Sequence, residues 1–247
     1  ETDPMSELLA GAHMSIAGGM HLAFERAARV RSNALQIFLK SSNQWKAKFL
    51  TEEDRELFRE AHRASGIRAL LAHDSYLINL ASPDRALYRK SLDAFIEELK
   101  RANSLGVPWL VLHPGAHTGS GVRAGIARVA RALRHALESV GPPVGVLLEN
   151  TAGQGTSLGR TFDELADILE QLGSPDRAGV CLDTCHAFAA GYDLRTPEAY
   201  AGTMREFGGK IGLGRIRAFH VNDSIRDLDS RVDRHTHIGK GHIGLEG

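Results

Sequence analysis

Seven short apolar and β-branched runs recur along the chain: LLAGAHMSI (8–16), ALQIFLK (34–40), IRALLAHDS (67–75), WLVLHPG (109–115), VGVLLEN (144–150), AGVCLDTCH (178–186) and IRAFHVND (216–223). Their apolar positions are continuous rather than alternating, which predicts strands buried on both faces, as in a parallel sheet. The stretches between them carry helical periodicity. Ile126, Val129, Leu133, Leu137 and Val140 mark one face of a helix over 122–140. Thr161 and Glu164 predict a capping box for a second helix, with Phe162, Leu165, Ile168, Leu169 and Leu172 as its stripe and Gly173 as its stop. Thr196 and Pro197 open a third, whose apolar side is Tyr200, Met204 and Phe207. Seven strand–helix units without a compositional break predict one βα-repeat domain over residues 5–247. The TIM (β/α)8 barrel is its natural closure, and a doubly wound open sheet is the rival.

Polar residues separate the two architectures. His73, His113, Glu149, Asp183 and His220 stand at or near the carboxyl ends of five successive runs, in steps of 40, 36, 34 and 37 residues. Consecutive strand ends ring one mouth in a barrel, so these side chains would converge; an open sheet would spread them along an edge. Three imidazoles and two carboxylates brought together call for a compensating cation. Taken singly, each has a plainer reading, as a hydrogen-bonded loop histidine or a carboxylate capping a helix. Repetition at the spacing of one βα unit is what raises the metal reading above it. His13 reads as a support of the mouth outside the ligand set, and His117 as a supporting or surface residue. His21, His62 and His135 read as solvated helix positions.

The segment RVDRHTHIGKGHIG (231–244) adds a second group. Asp233 and His235 are two apart, so an extended backbone projects both to the same side, where with His186 they can grip one ion. His237 competes for the same role, and spacing does not choose between the two. A glycine-rich surface loop with incidental histidines is the plainer alternative.

Composition narrows the classes. At 247 residues and 43% hydrophobic, the chain can bury a substantial core. No apolar run approaches a membrane span and no signal-peptide core is found, so a soluble, cytoplasmic protein is expected, nucleoid-associated if bacterial. Two cysteines, Cys181 and Cys185, are too few and too close for a disulfide framework, and they read as packing residues. Zero formal net charge means that any nucleic-acid binding must come from a local surface. ETDP before Met5 reads as a remnant of cloning.

HDSYLINL (73–80), LHPG (112–115), LENTAGQG (148–155), LDTCHAFAAGYD (182–193), FHVNDS (219–224) and SRVDRH (230–235) closely resemble, in order, the signature segments of the endonuclease IV family of abasic-site DNA repair enzymes. The resemblance implies a TIM barrel whose mouth holds a trinuclear zinc cluster. It implies hydrolysis of the phosphodiester 5′ to an abasic site in duplex DNA by zinc-activated hydroxide, leaving a 3′-hydroxyl and a 5′-deoxyribose phosphate. Carried over by motif, the first Zn2+ takes His73, His113 and Glu149. Glu149, the catalytic bridge, also serves the second, with Asp183 and His220. The third takes His186, Asp233 and His235, which selects His235 over His237. The resemblance further implies base-step insertion by loop side chains. Tyr76 and Leu77 match those positions, and Asn43 stands where an arginine is common; Lys40, Lys46 and Lys48 are candidates to meet phosphate. A monomer is the expected state. The family's eighth strand, with a further glutamate for the second zinc, has no counterpart before the sequence stops at GHIGLEG. Either about 30 residues, one βα unit, are missing or the barrel is truncated, and Glu246 is not assigned to that role. Two other classes stay open: a metal-dependent sugar isomerase or epimerase, and a noncatalytic damage-binding barrel.

Overall fold

Each apolar run becomes a strand and each amphipathic stretch a helix. The computed structural model describes residues 8–173 and 175–247; residues 1–4, read as a remnant, lie outside them. In chain order the elements are β1 (Gly11–Met14), α1 (Leu22–Arg29), β2 (Ala34–Phe38), α2 (Glu52–Ser65), β3 (Ala69–His73), α3 (Arg85–Leu105), β4 (Trp109–Leu112), α4 (Val122–Val140), β5 (Gly145–Glu149), α5 (Phe162–Leu172), β6 (Ala178–Asp183), α6 (Thr184–Ala190), α7 (Pro197–Lys210), β7 (Ile216–His220), β8 (Asp223–Ser224) and β9 (His235–Thr236).

β1 to β7 pair in sequence order, every pair parallel. A doubly wound sheet requires its strand order to reverse, so this order belongs to a TIM barrel with its eighth position open. The expectation of burial on both faces holds at the centre, where every residue of β5 and β6 is buried. It fails at the two edges. Three of the four β1 residues are exposed, and β7 alternates between exposed and half-buried positions, because among the described residues neither strand has a neighbour on its outer side.

The main core lies between strands and helices, around the fully buried Phe58, Phe95, Phe162 and Phe207. A second apolar group joins Val111, Leu147 and Cys181 with Leu71 and Ala218. Each stands two residues before one of His113, Glu149, Asp183, His73 and His220. Strand side chains repeat every second residue on one face, so this apolar layer floors the mouth on which the five polar residues sit. β7 needs a correction to keep that phase. Val180 pairs with Ile216 but Cys181 pairs with Ala218, so Arg217 is an extra residue, and the resulting bulge sets His220 opposite Asp183.

The helix signals are mostly met. The Thr161 side chain accepts from Glu164 N, and Gly173 closes α5 in the left-handed region. The reciprocal half of that capping box is absent: the Glu164 carboxylate accepts instead from Gly159 N and Arg160 N, bracing the loop before the helix. A full box occurs at Thr51 and Asp54, which open α2. On α7 the buried side is Thr203 and Phe207, with Met204 half-buried, while Tyr200 is exposed. Among the described residues, no helix is long and apolar enough to cross a membrane.

After β7 the chain forms a short antiparallel pair, β8 with β9, and a glycine-rich tail. Asp223 organises all of it. Its buried carboxylate accepts from the backbone N–H groups of Ser224, Gly239, Gly241, Ile243 and Gly244, at 2.8 to 3.2 Å. Asp223→Ala leaves those donors unpaired and is expected to destabilise the segment by about 3 kcal/mol, the scale of losing charge-assisted hydrogen bonds. Amide exchange should accelerate at 239–244 while β2 to β6 stay protected; unchanged exchange there would refute the hub.

Candidate metal centre

The mouth of the barrel is a cleft of about 910 Å³ lined by His13, Gln36, His73, His113, Glu149, Asp183, His186, His220, Asp233 and His235. All eight residues assigned to ligation from the sequence therefore meet in one place. Glu149, at the end of β5, is the hub. Its Oε2 lies 3.0 Å from His73 Nε2 and 3.2 Å from His113 Nε2, and its Oε1 lies 2.8 Å from His220 Nδ1 and 3.5 Å from His186 Nδ1. Burial alone would raise this carboxyl, but His113, His220 and His73 outweigh it and hold Glu149 well below the usual carboxylate range.

Three buried or largely buried histidines are oriented from behind. His73 Nδ1 donates to the Asp74 carbonyl at 2.8 Å, and His186 Nδ1 to the Asn150 carbonyl at 2.8 Å. His220 Nε2 donates to Gln36 Oε1 at 2.9 Å, while Gln36 Nε2 donates to His13 Nδ1 at 3.1 Å. A carbonyl only accepts, so each contact fixes the proton on the outer nitrogen and aims the other nitrogen inward. Burial, together with the facing His73 and His220, lowers His13 to about 4, so it remains a neutral acceptor that supports the mouth.

Asp183 has two roles. It is the N-cap of α6, its Oδ1 accepting from His186 N at 2.8 Å, and it also faces the cluster. The plain helix-cap reading and the site reading are both correct for this residue. Asn150 brackets its backbone, with Oδ1 accepting from Asp183 N and Nδ2 donating to Asp183 O; Asn222 Nδ2 donates to Asp183 Oδ2 at 2.7 Å. Beyond it, His186 Nε2 is 3.1 Å from Asp233 Oδ2 and 3.2 Å from His235 Nε2, which is itself 3.1 Å from Asp233 Oδ1. Burial opposes charge on His186, yet Asp183, Asp233 and Glu149 outweigh it and raise the group to about 10.

Donor atoms fall into groups that each fit one ion: His73, His113 and Glu149; Glu149, Asp183 and His220; and Asp183, His186 and His235. Cys185 also comes within reach of Asp233 and His235, but burial pushes its thiol up to about 12 and keeps it protonated. His237 joins none of these groups among the described residues. Inward lone pairs facing carboxylate oxygens near 3 Å repel unless a proton or a cation lies between them. Nitrogen and carboxylate donors in sets of three fit a divalent transition metal.

Around the mouth, Tyr76 is 61% exposed and its ring centroid lies 5.6 Å from that of His73 and 6.3 Å from that of His113. Leu77 beside it is half-buried, and Asn43 is exposed on the loop after β2. A hollow of about 400 Å³ adjoins the cleft, lined by Tyr76, Asn79, Ala116, Gln154, Ser157 and Asp233 among others. Lys40 is not available to phosphate: it is buried and its ammonium is spent inside the protein. Lys46 and Lys48 remain exposed. The sequence reading passed over Gln36, Asn150 and Asn222. Gln36 carried a usable signal, a polar residue inside the apolar run ALQIF; the two asparagines sat beside stronger candidates.

A family profile described as Xylose isomerase-like TIM barrel matches residues 24–247. A relative from Geobacter sulfurreducens, "Probable endonuclease 4", is 53% identical over 96% of this chain and 80% of its own length. Among solved structures, endonuclease IV from Thermus thermophilus is similar with TM-score 0.84 and 38% identity, over 95% of this chain and 83% of that one. A D-tagatose 3-epimerase-like protein, 20% identical with TM-score 0.71 over 96% of this chain and 83% of that one, shares the fold. Identity above one half along nearly the whole sequence, on a barrel whose mouth gathers these histidines and carboxylates, settles the kinship: the chain belongs to the endonuclease IV family.

Proposed function

We propose that this chain is a DNA repair nuclease that hydrolyses the phosphodiester 5′ to an abasic site in duplex DNA, acting as one barrel domain and a monomer in the cytoplasm. The observation that carries it is the set of inward-aimed imidazoles around a buried Glu149. His73, His113 and Glu149 would hold one zinc; Glu149, Asp183 and His220 a second; His186, Asp233 and His235 a third. Bound there, the ions would supply positive charge to nonbridging and leaving oxygens and acidify a water at neutral pH.

The protein's own groups prepare that chemistry. Asp74, Asn150 and Gln36 hold three imidazoles in the tautomer that ligates. The apolar residues Val111, Leu147 and Cys181, fully buried, back the cluster on its floor, with Leu71 and Ala218 half-buried beside them. Tyr76 and Leu77 stand at the rim where a base step would be opened, a mode that favours sites lacking normal stacking. The likeness to an epimerase-like barrel concerns the fold alone.

The protein is expected to bind about three zinc ions per chain and, when zinc-loaded, to nick a duplex on the 5′ side of a single synthetic abasic site. Binding without nicking would instead make it a damage-binding barrel, and one Mg2+ or Mn2+ per chain without nicking would favour a sugar isomerase or epimerase. Glu149→Gln should lower incision by about 100-fold or more while duplex binding stays measurable; near-parental turnover would remove Glu149 from the bridging role. Zinc loading should also release protons. His186, raised to about 10, is charged at neutral pH, whereas a ligand must be neutral, so apparent zinc affinity should climb as pH rises from about 6.5 towards 10. Calorimetry in buffers of different ionisation enthalpy checks this, and buffer-independent heats would contradict it.

A further inference from the structure

Beneath the rim lies a buried ion pair that the metal centre does not use. Lys40 Nζ is 3.0 Å from Glu98 Oε1, with the two side chains 4% and 1% exposed. Replacing such a pair by apolar residues of similar volume is often neutral or stabilising, so core stability is a weak reason for it to be here. Its remaining hydrogen bonds run to loops instead. Lys40 donates to the Gln44 carbonyl at 2.6 Å, within the segment that carries Asn43. Glu98, on α3, accepts from Ser75 N, and Ser75 Oγ donates to the Ser42 carbonyl at 2.6 Å, so the segment that carries Tyr76 and Leu77 is tied to the first.

α3 braces the same two segments elsewhere. Arg101 donates to the carbonyls of Leu39 and Lys48, at either end of the first loop, and Ser91 Oγ accepts from Asn79 N in the second. Glu98 Oε2 has no hydrogen-bond partner among the described residues.

We propose that Lys40 and Glu98 are positioning residues that hold the 39–48 and 75–80 loops at a fixed separation over the mouth, and thereby set affinity for damaged duplex rather than the rate of the chemical step. This rests on the DNA-repair reading above. The pair is internal, and it contacts both loops, which follow the adjacent strands β2 and β3. Losing its charge would allow Asn43 and Tyr76 to drift apart, and no metal ligand is among the residues that the pair hydrogen-bonds.

The test compares zinc-loaded parent, Glu98→Gln, Lys40→Met and the double variant. Three quantities are read: KM and kcat for incision, Kd for a duplex with a synthetic abasic site, and amide exchange over the two loops. In the variants KM and Kd should rise about tenfold or more, with kcat within about threefold of the parent. Zinc content should be unchanged, exchange should be faster over 39–48 and 75–80, and the double variant should be no worse than the worse single one. Glu98→Gln is isosteric and carries the test if Lys40→Met does not fold. Unchanged loop exchange would overturn the proposal, as would faster exchange with parental KM and Kd, or a fall in kcat alone. A parent that binds but never nicks defeats the nuclease reading while Kd and exchange still decide this one.

Discussion

A carboxylate sealed at the base of an apolar-floored mouth must be compensated, and the structure is arranged around meeting that demand for Glu149. It is 2% exposed and has four imidazoles within 3.5 Å. Stripped of partners, a buried charge of this kind would be neutralised by a proton. The imidazoles keep it ionised instead, and the carbonyl partners of His73 and His220 turn the other ring nitrogen of each toward the carboxylate, where a cation would sit. Ligand geometry is thus inherited from strand ends and backbone carbonyls, which are among the most rigid parts of a barrel.

The arrangement also explains why so few residues suffice. Five positions arrive by repetition, one per βα unit, each on top of an apolar residue two places earlier. The third group cannot arrive that way, because Asp233 and His235 lie past the last strand of the sheet. They are brought back by a hairpin whose shape Asp223 dictates, and they meet His186 on α6, which Asp183 begins. One short helical turn therefore links the part of the site built by the barrel to the part built by the tail.

Much of this was legible in the sequence. Parallel strands followed from continuous apolar runs, and convergence followed from steps near 36 residues, because both depend on local periodicity. What escaped depended on contacts between distant segments. The extra residue at Arg217 cannot be read from IRAFH, since a bulge exists only relative to β6. Lys40 looks like a solvated lysine until α3 supplies Glu98, 58 positions later. Glu164 satisfied a capping pattern in letters, yet its carboxylate found better donors in the preceding loop. Asp183 shows the converse, where a bland local reading and a chemical one were never exclusive.

The Asp223 hub has a consequence for which substitutions the tail can absorb. Its partners are main-chain amides, which every residue but proline possesses, so the hydrogen bonds themselves ask nothing of side-chain identity. Space and backbone angle do. Gly239 and Gly244 sit at φ 77° and 80°, and a Cβ on Gly241 would lie 2.2 Å from the Ser224 carbonyl oxygen. The permitted alphabet is therefore narrow at three glycines and at Asp233, and wide at the exposed positions 225–227 that open the turn between β8 and β9. Divergence in this region should collect there, leaving the frame that delivers Asp233 and His235 intact.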